Sequence, residues 1–76
     1  MPEKGQLLAF KKRLLQLGEF DVGPVAEITF RLSQILNPQM ESKLNEFLGS
    51  EEIYKPDATR RKLIELIDTS LASELN

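Results

Sequence analysis

The stretch Pro24 to Leu36, PVAEITFRLSQIL, constrains the fold more than any other part of the chain. At about 100° per residue, Val25, Ile28, Leu32, Ile35 and Leu36 fall on one helical stripe, and Ala26, Phe30 and Ser33 widen the uncharged surface beyond half the circumference. Only Glu27, Arg31 and Gln34 form a polar strip. A helix with so little wet surface is expected to be central, with neighbours on at least two sides. Ser33 is expected to return its hydroxyl to the preceding turn.

The flanking segments are helical too. Leu7, Phe10, Leu14 and Leu17 recur at three and four residues, which predicts a first helix from Glu3 or Lys4 to Leu17, ended by a left-handed Gly18. Lys11 falls inside that apolar arc. Its aliphatic stem can cover the core edge while the ammonium reaches water, or the charge can answer a carboxylate elsewhere in the fold.

Gly23-Pro24 suits a helix start, with Asp21 as the cap if the helix begins earlier. Asn37-Pro38 repeats the device as a sharp corner, starting a third helix that runs to Leu48 and is ended by Gly49, with Met40, Leu44, Phe47 and Leu48 as its inward stripe. Ser50-Glu51-Glu52 reads as the start of a short extra turn near residues 51–54, broken by Pro56. Asp57 is the expected cap of the last helix, which carries Leu63, Ile64, Ile67 and Leu71 on one face. Leu66 lies roughly 60° outside Leu63, placed for either the core or an intermolecular contact. No segment favours a strand. The reading is an all-α fold, a compact and orthogonal bundle of four main helices in one domain spanning residues 1–76.

Composition narrows the chemistry. A chain of 76 residues without Cys, His or Trp has no disulfide staples, no zinc ligands of the usual kind and no histidine base. The glycines are scattered and form no phosphate-cradling loop. Acidic residues sit at helix starts and wet faces, where they serve caps and dipoles. No enzyme activity, cofactor, metal or small-molecule substrate is therefore expected. Net charge is −2, split as +1 over residues 1–38 and −3 over residues 39–76, which does not favour a polyanion partner. No apolar run reaches membrane-spanning length and the N-terminus is unlike a secretory leader, so a cytoplasmic location without membrane contact is expected.

Two functional expectations follow. The first is a small non-catalytic protein-interaction module, either homodimeric or a regulatory or accessory subunit, because a core this small gains from a partner. Phe30, Tyr54 and Leu66 are its candidate contacts. The second is nucleic-acid binding. Leu14 to Gly18 leads through Phe20-Asp21-Val22 into a new helix, loosely resembling helix-turn-helix proteins. That resemblance implies that Pro24, Glu27 and Arg31 face DNA; separately, the basic clusters at residues 11–13 and 60–62 would make a phosphate-contacting surface of Arg13, Arg61 and Lys62 if the bundle brings them together.

Overall fold

The computed structural model describes residues 2–74, with side chains from 4 to 73. Four helices and one short turn follow in order: α1 (Pro2–Gln16), α2 (Val22–Ser33), α3 (Pro38–Leu48), the 3-10 turn η1 (Glu51–Tyr54) and α4 (Ala58–Glu74). The described residues form no strand, and none of their helices is long and apolar enough to cross a membrane. A Cα radius of gyration of 11.7 Å is close to the roughly 11 Å expected for a closed domain of this length.

The centre of the bundle is α4. It packs against α1, α2, α3 and η1, and its Leu63, Leu66 and Ile67 are fully enclosed. Leu7 and Leu14 of α1, Val25, Ile28 and Leu32 of α2, and Met40 and Leu44 of α3 complete the core, with Leu36 from the corner, whereas Leu48, expected on the same α3 stripe, is exposed at the helix end. The Pro24–Leu36 segment does keep its stripe inward and does have α1 and α4 as neighbours, but its opposite side is open. The central position expected for α2 therefore belongs to α4. The reason is angular: on α4, Leu63, Leu66, Ile67 and Ser70 span about 100°, enough to serve neighbours on several sides.

Local chemistry accounts for the boundaries. α2 starts at Val22, so Pro24 falls in the first turn, where its missing N–H removes no intrahelical bond. The Asp21 carboxylate does not cap this helix; it turns back to accept from Gly18 N–H at 2.7 Å. α2 stops at Ser33, whose hydroxyl donates to Phe30 O at 2.6 Å, and the chain tightens through Gln34 to Leu36. Asn37 caps α3 by accepting from Met40 N–H at 2.9 Å, and Ser50 accepts from Glu52 N–H to begin η1. Neither Gly18 nor Gly49 is left-handed, since no described glycine has a positive φ. The left-handed residue is Asp57, at φ 58°.

The Asn37 cap gives a direct test. Asn37→Ala orphans the Met40 N–H and is expected to cost about 1 kcal/mol. That lowers the melting temperature by about 4–8 °C in a domain of this size, as read by thermal circular dichroism.

Candidate protein-interaction face

The open side of α2 is built by its own periodicity. Val22, Ala26 and Phe30, four residues apart, form an exposed ridge bordered by Gly23, Thr29 and Ser33. No charged side chain interrupts this surface. Val22 is 71% exposed and Phe30 66% exposed, so two large apolar groups stand in water on one helix face. Thr29 and Ser33 leave little polarity there, because both hydroxyls donate to carbonyls of their own helix, Val25 O and Phe30 O. Along one flank run Glu27 and Arg31, paired at 3.1 Å and both well exposed.

A depression lies on each side of the ridge. One of about 580 Å³ opens between α1 and α2, lined by Gln6, Phe10, Phe30, Gln34 and Ile35 and by the charged Glu27 and Arg31. The other, of about 380 Å³, lies between the start of α2 and the corner joining η1 to α4, with Val22, Ala26, Leu48 and Ile53 in its wall. Exposed Phe20 and Tyr54 each stand between two residues lining this second depression.

The charged side of that second depression is structural. The Arg60 guanidinium donates through Nε to Asp57 Oδ1 at 2.8 Å and through Nη2 to Oδ2 at 2.7 Å. Its Nη1 donates to Leu14 O at 3.0 Å, a carbonyl at the end of α1 that also accepts from Leu17 N–H at 3.2 Å. The hydrogen bonds from Arg60 hold the Asp57 carboxyl below its ordinary range; partial burial opposes this, and the charges of Arg60 and Arg61 reinforce it. A carboxylate kept ionised and fully engaged is poorly suited to acid or base chemistry. Among the described residues, no three His, Cys, Asp or Glu side chains are grouped to hold a metal ion.

The expected contact residues separate. Phe30 and Tyr54, at 66% and 81% exposure, are surface groups on α2 and η1. Leu66 is 2% exposed and belongs to the core, because α4 is packed on a wider arc than the Leu63 stripe alone implies. It is not available as a contact in the folded chain. Val22 and Ala26 belong to the open face instead. Ala26 was signalled by the uncharged surface around α2; Val22 was not, because the sequence places it with Phe20 in a connector tucked back against the helices, whereas α2 starts at Val22 and both side chains are exposed.

Of the four cations expected for nucleic acid, Arg31 and Lys62 border different depressions. Arg31 pairs with Glu27 beside the α1–α2 depression. Lys62 approaches Glu65 at 3.6 Å and borders a different depression beside α3 and η1. Arg61 donates to the carbonyls of Pro56 and Asp57, and Arg13 is exposed on α1. Lys11 does find a distant carboxylate, Asp68, at 2.6 Å.

Comparison of the chain with protein-family models, curated proteins and solved structures matches none of them.

Proposed function

We propose that the protein is a small non-catalytic interaction module of the cytoplasm, which docks a partner protein on the outer face of α2. The observation that carries this reading is the Val22–Ala26–Phe30 ridge, an exposed apolar line with no charge on it, between two depressions. Scattered surface leucines are ordinary, but aligned apolar groups on one helix face exact a solvation cost that a docked partner relieves. The ridge suits a helix, since residues at four-residue spacing interlock with another helix at about 8–10 Å between axes.

A photo-crosslinking amino acid placed at Ala26 of the full chain in producing cells tests the reading. The expected result is a covalent adduct to protein that is absent when the probe replaces exposed Asn45 on α3. Phe30→Asp in the same chain should remove it. No protein adduct from position 26, or equal adducts from both positions, overturns the docking face.

A further inference from the structure

We infer that the exposed face of α1 is a contact surface for an anionic phospholipid bilayer. Charge segregation carries the argument. Residues 4–18 hold Lys4, Lys11, Lys12 and Arg13 and no acid, a net of +4, whereas the rest of the chain holds six bases and twelve acids, a net of −6. Past Glu3 at its start, α1 of an acidic chain is therefore basic throughout, and a negative surface orients the molecule with this helix toward it. Asp68 of α4 closes on Lys11 at 2.6 Å, but Lys12 and Arg13 are exposed and have no acidic partner among the described residues.

The pattern within the face selects lipid. Leu8 and Leu15, 49% and 61% exposed, lie about 20° apart around the helix and about 10 Å apart along it. Lys4, Lys11 and Lys12 flank them within an arc of about 100°. A partner helix needs a continuous apolar seam, and the positions that would continue it between the two leucines, 11 and 12, are both lysine. Nucleic-acid phosphates are met by cations, and leucines among them contribute nothing. Head groups over hydrocarbon take both kinds of side chain: the lysine stems run along the surface with their ammonium groups at phosphate level, and the leucines reach the acyl boundary. Lack of a spanning run does not bear on a helix that lies along the interface. This face shares no residue with the α2 ridge, so it stands independently of the docking proposal.

Attachment is weak, because only two leucines insert and the rest of the chain is acidic. Half-saturation is expected at about 1 mM lipid, roughly tenfold weaker than a single myristoyl chain provides, and salt lowers it further.

Flotation of the full chain at low salt provides the test, with vesicles of phosphatidylcholine carrying about 30% phosphatidylserine set against pure phosphatidylcholine. The anionic vesicles are expected to bind about fivefold more protein, or better. Lys12→Glu should lower that binding by about fivefold or more. Lys43→Glu, exposed on α3, alters net charge equally and should change it by less than about twofold. Leu8→Ser with Leu15→Ser leaves the charge unchanged and should lower it by about fivefold or more, with helicity retained by circular dichroism. The chain has no Trp, so Leu15→Trp supplies a single reporter. Its emission should move to shorter wavelength on anionic vesicles, and that of Asn45→Trp on α3 should not.

Absence of binding at about 5 mM anionic lipid overturns the inference. Equal losses in Lys12→Glu and Lys43→Glu also overturn it, by assigning the attraction to charge spread over the whole surface. Unchanged binding in the serine pair, with an unmoved Leu15→Trp emission, does so by leaving the leucines out of the contact. Should the serine pair lose helicity, the Trp emission decides. Binding to a DNA duplex that exceeds vesicle binding at equal phosphate, and survives the loss of both leucines, assigns the face to nucleic acid instead.

Discussion

Leu66→Asp is expected to leave the chain unfolded, with its helical circular dichroism lost near 25 °C. Leu66 is 2% exposed in the central helix, between the enclosed Leu63 and Ile67. The substitution gives up about 2–3 kcal/mol of apolar burial and then places a carboxylate within the buried apolar cluster, for a total of about 5 kcal/mol or more. A domain of this length has only about 4–11 kcal/mol to lose. Leu66→Ala supplies the graded companion: a cavity cost of about 2–5 kcal/mol should leave a folded but less stable chain. Thermal melts of both variants decide the matter. Full helicity in Leu66→Asp would place that side chain at the surface and would move the centre of the bundle away from α4.

The same residue shows what the sequence can and cannot convey. Period and breakers were legible: Asn37-Pro38 and Ser50 act locally, through hydrogen bonds within a few residues of themselves, and the caps and the 51–54 turn follow from local chemistry. Four helices and their inward stripes were legible for the same reason. Which helix is central was not, because α2 and α4 each carry a broad uncharged arc and only their neighbours decide how much is covered. α4 has most of its wide arc used. α2 has half of its arc left in water, and that remainder is the candidate docking face.

Long-range polar contacts were legible least. Lys11 announced itself as a misfit in an apolar arc, but its partner Asp68 lies 57 residues away. Asp57 looked like a cap by position. Its role depends on Arg60 reaching both its carboxylate and the Leu14 carbonyl, a contact spanning 46 residues that no local pattern encodes.

The second large effect is at this corner. Arg60→Ala removes the bonds to Asp57 and the tie to α1, and leaves Asp57 with an unmatched carboxylate that is only 16% exposed. The expected loss is about 2–3 kcal/mol, from a partly buried charge without its partner and the lost hydrogen bond to Leu14 O, which keeps only the Leu17 N–H. The melting temperature should fall by about 10–20 °C. Asp57→Asn is the sharper probe, because asparagine also tolerates the left-handed φ of 58° and only the charge is changed. Its cost at neutral pH should be smaller, about 1–2 kcal/mol. The sign of the pH dependence follows from the lowered Asp57 value. The folded chain binds this proton less readily than the unfolded chain, so the pair's contribution is fully present above the ordinary carboxylate value of about 4. It is lost as pH falls through the lower folded value. The stability gap between the native chain and Asp57→Asn, measured by urea titration, should therefore hold from pH 7 to about 5 and close in stronger acid. A gap that stays constant below about pH 3 would assign the loss to local geometry, and would leave the Asp57–Arg60 ion pair without a stabilising role at the corner.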